Sequence, residues 1–160
     1  MQSDQMNTEI MLQLEQTVND YASLLGRRPR ACIVTFGCQM NARDSEKLRG
    51  VLTSGGFEIT DDEDCDFLIY NTCTVRENAN TRVYGRLGKV KSYKKRNPLM
   101  MVALCGCMMQ EKSVREEIAG KYGFVDLVFG TFNLDRFPDL LNELIRMRTD
   151  HQKASTRIEV

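Results

Sequence analysis

The sequence predicts an α/β fold: a flavodoxin-like three-layer sandwich built on a five-stranded, mostly parallel sheet. Two observations carry this. From residue 31 onward, short apolar runs alternate with segments of helical periodicity. The runs ACIVTF (31–36), FLIY (67–70) and MMVAL (100–104) are uninterrupted, as strands are when both faces of a parallel sheet are covered. A length of 160 residues fits one such domain.

The elements follow in order. Ile10, Met11, Leu14, Val18, Tyr21 and Leu24 recur at helical spacing over 6–24, and GRRPR (26–30) breaks the pattern. Residues 1–30 are therefore expected to form an N-terminal helical extension to a domain spanning 31–148. After the strand at 31–36, a helix over 42–54 ends at Gly55 and Gly56, and a short strand is expected at 57–60. The acidic turn DDEDCD (61–66) leads into the strand at 67–70. A long polar helix over 75–96 stops at Asn97 and Pro98. The strand at 100–104 runs into GCMMQEKSVREEIAG, which turns helical, and VDLVFG (125–130) supplies the fifth strand. Asn133 is expected to cap a last helix reaching Met147, with Leu134, Phe137, Leu140, Leu141 and Leu144 as its apolar stripe. TDHQKASTRIEV (149–160) reads as a tail or linker to a following domain. No internal repeat or low-complexity tract is present.

Composition narrows the function classes. With 22 basic and 22 acidic residues, bulk charge gives no reason to expect nucleic acid or membrane, so any such partner must be read from local patches. No window approaches about 18 consecutive apolar residues, so no membrane span is expected. The N-terminus lacks a basic region followed by an apolar core, which argues against a secretory signal and makes a cytoplasmic location the default; a monomer is expected. Six cysteines in such a chain point to metal or redox chemistry rather than to a disulfide framework.

Three strand exits each deliver a thiol: TFGCQMN gives Cys38, NTCTVRE gives Cys73, and ALCGCMMQ gives Cys107. In doubly wound sheets, ligands bind outside the carboxyl ends of strands. With strand order 2-1-3-4-5, these exits belong to neighbours about 4.8 Å apart, so the three loops converge within roughly 10 Å. Thiolates select zinc, copper(I) or iron–sulfur clusters. A structural zinc site prefers four closed ligands, often in CxxC pairs; none occurs here, and the single histidine, His151, sits in the polar tail. Spacing favours a cluster over zinc. Cys32 reads as a small buried hydrophobe and Cys65 as part of the acidic turn. Cys105 competes with Cys107, since period 2 puts both on one face; Cys107 is preferred because it lies on the loop, where Gly106 frees the backbone.

Together GCQMNARDSE, NTCTVRENA and CGCMMQ resemble the N-terminal domain of the radical-SAM methylthiotransferase family, and among its branches the tRNA-2-methylthio-isopentenyladenosine synthases. The resemblance covers about residues 31–147. It implies that Cys38, Cys73 and Cys107 bind an auxiliary 4Fe-4S cluster that leaves one iron without a protein ligand. It further implies a second 4Fe-4S cluster and S-adenosylmethionine in a radical-SAM domain. Together these add a methylthio group to carbon 2 of isopentenyladenosine beside the tRNA anticodon. That domain carries a CxxxCxxC motif, which no cysteine spacing here matches, so the chain is expected to be inactive alone and to work with its own radical-SAM domain. The same domain of a ribosomal-protein methylthiotransferase is the alternative substrate class. A flavodoxin-like binding module without a cluster, holding a flavin or a partner, is the alternative of a different kind.

Other features have plainer readings. Arg82, Arg86, Lys89, Lys91, Lys94, Lys95 and Arg96 read as a solvated helix face, with phosphate contact as the competing reading. Gly85 and Gly88 form no dinucleotide fingerprint. Asn41, Asp44 and Glu46 are placed to cap the helix after Cys38, and Asn41 and Asn71 to orient the cysteine loops. The pairs Met100-Met101 and Met108-Met109 read as core.

Overall fold

The computed structural model describes residues 2–37, 39–73, 77–150 and 157–159, without the side chains of 2–4, 77–81, 132 and 157. Within these, α1 (Gln2–Leu25) precedes β1 (Arg30–Thr35), α2 (Gln39–Gly55), β2 (Glu58–Ile59), β3 (Phe67–Thr72) and α3 (Glu77–Arg96). There follow β4 (Met101–Gly106), a 3-10 turn (Cys107–Gln110), α4 (Lys112–Lys121), β5 (Leu127–Phe129), a second 3-10 segment (Thr131–Arg136), α5 (Phe137–Thr149) and β6 (Arg157–Glu159). All strand pairs are parallel, in the order β2-β1-β3-β4-β5-β6.

The α/β sandwich and the 2-1-3-4-5 order stand, with one strand more than expected. Residues 157–159, read as tail from their polarity, pair with β5 as an edge strand. A three-residue edge needs little apolar content, because only one side joins the ladder. Asn133 does not cap α5 either. It lies within the 3-10 segment, and its side-chain Nδ2 donates to the Glu159 carbonyl at 2.7 Å, tying β6 down.

Strand periodicity divides the core in two. Ala31, Phe67, Ile69, Met101, Ala103, Cys105, Leu127 and Phe129 face α1, α2 and α5. Cys32, Leu68, Tyr70, Val102, Leu104 and Val128 face α3 and α4, which contribute Val83, Leu87, Val90, Val114 and Ile118. Both faces are thus covered, which is why β3 and β4 are buried at every residue. Helix α1 belongs to this core. Its Leu14, Val18 and Tyr21 are buried against α2 and α5, and Tyr21 donates its hydroxyl to the Leu99 carbonyl.

Candidate metal centre

Because α2 and α3 leave β1 and β3 towards opposite faces, the carboxyl ends of these neighbouring strands flank the topological switch point. The register sets Thr35 opposite Asn71 and Thr72 opposite Gly106. The next residues along β3 and β4 are Cys73 and Cys107, so two of the sequence-predicted thiols stand at adjacent strand ends. Cys73 is buried and Cys107 exposed. The third, Cys38, lies outside the described residues, as does His151.

Two glycines bring these ends together. Gly37 has φ 118°, and a Cβ there would lie 2.4 Å from Cys73 Cβ and 3.0 Å from its Sγ. Gly106 has φ 101°, and a Cβ there would lie 2.1 Å from the Thr72 carbonyl oxygen. Both positions combine the left-handed backbone region with a contact closer than any side chain permits. Each precedes a motif cysteine, and each packs on the β3 exit.

Beneath them lies a buried amide network. Asn41 Nδ2 donates to Asn71 Oδ1 at 3.1 Å and to the Thr72 carbonyl at 2.7 Å. Asn71 Nδ2 returns a bond to the Asn41 carbonyl at 2.8 Å and another to Ser45 Oγ at 3.0 Å. Ser45 Oγ also meets Thr35 Oγ1 at 2.7 Å, and Thr72 Oγ1 donates to the Cys105 carbonyl at 2.6 Å. This pins the first turn of α2 to the ends of β1, β3 and β4. Asn41 therefore acts by orienting the loops, as does Asn71; neither Asp44 nor Glu46 lies in the first turn of α2. Two contributors were not singled out from sequence. Ser45 looks like any polar helix residue, and Thr131, at the β5 exit, places Oγ1 4.0 Å from Cys107 Sγ. Only the adjacency of β4 and β5 brings Thr131 there.

The other thiols are set apart. Burial pushes the Cys32 thiol up to about 11, with the acidic turn at Glu63, Asp61 and Asp62 adding to it. Burial likewise raises Cys65, whose Sγ donates to the Phe67 carbonyl at 3.3 Å. Cys105 points into the α1/α2/α5 side of the core, and burial raises it too. Period 2 does not carry Cys105 onto the face of Cys107, because Gly106 (φ 101°, ψ −177°) turns the chain into the 3-10 segment between them. Among the described residues no three His, Cys, Asp or Glu side chains are grouped to hold a metal, and Cys38 is not among them. The donor set fits a soft metal or an iron–sulfur cluster: thiols at adjacent strand ends, with Gly37 packed on Cys73 and Gly106 on Thr72 too closely for any side chain to intervene.

Residues 30–130 match the Uncharacterized protein family UPF0004. The tRNA-2-methylthio-N(6)-dimethylallyladenosine synthase of Lachnoclostridium phytofermentans is 56% identical over 124 residues, which cover 78% of this chain and 27% of that protein. The enzyme of the same name from Clostridioides difficile is 49% identical over 134 residues, 83% of this chain and 28% of its own length. That of Acetivibrio thermocellus is 50% identical over 125 residues, covering 78% and 26%. The chain thus spans about a quarter of the length of these curated relatives. The matched segment contains both motif glycines, all three motif cysteines and the strands that order them, and the chain belongs to the Uncharacterized protein family UPF0004.

Proposed function

We propose that this chain is the auxiliary-cluster domain of a tRNA methylthiotransferase, with Cys38, Cys73 and Cys107 as the thiolate ligands of a 4Fe-4S cluster. The observation that carries the reading is the pair of left-handed glycines, Gly37 and Gly106, that close two motif loops onto the Cys73 strand end. When bound, the cluster supplies one iron without a protein ligand, open to an exogenous sulfur species.

The chain's own residues bind and position. Cys38, Cys73 and Cys107 would hold the group as thiolates, two of them at the adjacent ends of β3 and β4. The Asn41–Asn71 network ties the start of α2 to the end of β3. Met108, Met109 and Phe36, which flank the motif cysteines in sequence, are buried in the core on the α3/α4 side. No residue of the chain is assigned a catalytic role. The radical chemistry, with S-adenosylmethionine and a second 4Fe-4S cluster, is proposed to reside in a radical-SAM domain of the longer protein. The proposed substrate is isopentenyladenosine beside the tRNA anticodon, in the cytoplasm, with the protein acting as a monomer. Among the described residues no helix is long and apolar enough to cross a membrane.

Anaerobic reconstitution with iron and sulfide tests the site. About four irons per chain are expected, with loss on replacing Cys38, Cys73 or Cys107 by alanine and retention in Cys32→Ala and Cys65→Ala. A protein that takes up no iron and binds flavin instead overturns the reading. Assaying the longer protein on unmodified tRNA and on ribosomal protein decides the substrate.

A further inference from the structure

Helix α3 concentrates the charge of an otherwise balanced chain. It holds seven of the 22 cations and one of the 22 acidic residues. Three of the seven have structural partners. Lys94 pairs with the largely buried Asp126 at 2.8 Å. Arg86 pairs with Glu63 at 3.1 Å and lies over the Phe36 ring, and Arg96 pairs with Asp64 at 3.0 Å. The other four, Arg82, Lys89, Lys91 and Lys95, are exposed and make no ion pair with any described residue.

Their placement is ordered. At about 3.6 residues per turn, Arg82 and Lys89 project from one flank of the helix and Lys91 and Lys95 from the other. Between the flanks, opposite the buried Val83, Leu87 and Val90, run Gly85, Gly88 and Ser92. The four cations span about 20 Å of helix at about 1.5 Å per residue. The fold requires neither glycine: a Cβ at either would meet nothing within 4 Å, and neither has positive φ. The cations therefore flank a strip of bare helix backbone.

We infer that this face of α3 is a docking ridge for the phosphate backbone of an RNA. Charge complementarity selects the occupant: two rows of unpaired cations on either side of a low crest match a polyanionic strand lying along the helix. A membrane surface fits less well, because none of the exposed large hydrophobic residues lies on α3, and interfacial helices need an apolar face to insert. The ridge belongs to the same strand–helix unit as Cys73, since α3 begins four residues beyond it. That the RNA is a tRNA rests on the function proposed above.

The test measures binding of the 160-residue chain to a fluorescein-labelled, unmodified tRNA transcript from 50 to 200 mM salt. Replacing Arg82, Lys89, Lys91 and Lys95 together by glutamine should weaken binding at least about tenfold at 50 mM salt. It should also flatten the plot of log affinity against log salt by about 3, as expected for four lost phosphate contacts. A control set removing four other exposed cations (Lys47, Lys112, Lys121 and Arg146, each to glutamine) should leave the slope near that of the unchanged chain. All eight positions are exposed, so both variants should keep their circular dichroism and iron uptake. The inference is overturned by any of four results: no binding by the unchanged chain, an unchanged slope in the α3 variant, an equal loss in the control set, or preference for phosphatidylglycerol vesicles over the transcript. Its failure is separable from failure of the proposed function. The first leaves methylthiolation of tRNA by the longer protein intact in the α3 variant, whereas the second abolishes methylthiolation but not binding at the ridge.

Discussion

Gly106 and Gly37 are the residues on which the geometry of the centre turns. A methyl group at Gly106 meets backbone on both Thr72 nitrogen and oxygen, so it cannot be relieved by a side-chain rotation. Gly106→Ala should cost on the order of 2–4 kcal/mol in urea denaturation. It should also lower iron uptake, by forcing β3 and β4 apart where their cysteines emerge. Gly37→Ala should act chiefly on iron uptake, since the atoms it meets belong to Cys73 and Asn41. In the amide network below, Asn41→Ala and Asn71→Ala should each cost about 1–3 kcal/mol. The double variant should cost less than their sum, because each single change leaves the other asparagine's amide without its partner; a double-mutant cycle measures this coupling. Cys32 adds a pH dependence. Folding holds its proton up to about 11 against an ordinary 9.0, so this contribution is complete below pH 9 and is lost as pH rises through 11. The urea midpoint should therefore fall over that interval, and less steeply in Cys32→Val.

Among the elements, α1 carries more of the fold than its position outside the matched segment indicates. Leu14, Val18 and Tyr21 complete the core on the α2/α5 side, and Thr17 Oγ1 bonds the Asn142 amide oxygen on α5. Leu14→Ala should destabilise by about 2–5 kcal/mol, as for other fully buried leucines, and deleting residues 1–29 should abolish cooperative thermal unfolding. The contrast with α3 is instructive. Both helices are amphipathic in sequence, but α1 spends its apolar stripe on one face of the sheet, whereas α3 divides its cations between structural pairs and an open flank. Periodicity marks which residues turn inward in each; it does not tell which cations find acidic partners.

At the scale of the whole molecule, the two edges of the sheet have different tasks. The carboxyl edge carries Cys73 and Cys107. The amino edge is closed by two ionic networks. Asp66, fully buried at the entry to β3, accepts bonds from Arg27, the Arg30 amide and Asn97. Asp126, at the entry to β5, accepts from Lys94, Arg148 and the Val102 amide. Asp126→Ala leaves Lys94, itself mostly buried, without a counter-charge, and should cost about 3–5 kcal/mol in denaturant titration with little change in iron uptake. That separation of stability from cofactor binding is the expected signature of a two-edged sheet. The sequence by itself determined the alternation of strands and helices, the strand exits that carry Cys38, Cys73 and Cys107, and the motifs shared with the methylthiotransferases, because local periodicity and short-range chemistry are written in consecutive residues. Only the tertiary structure decided that residues 157–159 extend the sheet and that Asn133 holds them. It alone set Gly106 against Thr72, Thr131 beside Cys107, and four of the seven α3 cations without an ion pair to any described residue. Each of these is a contact between residues far apart in the chain, fixed by strand order and register rather than by sequence neighbours.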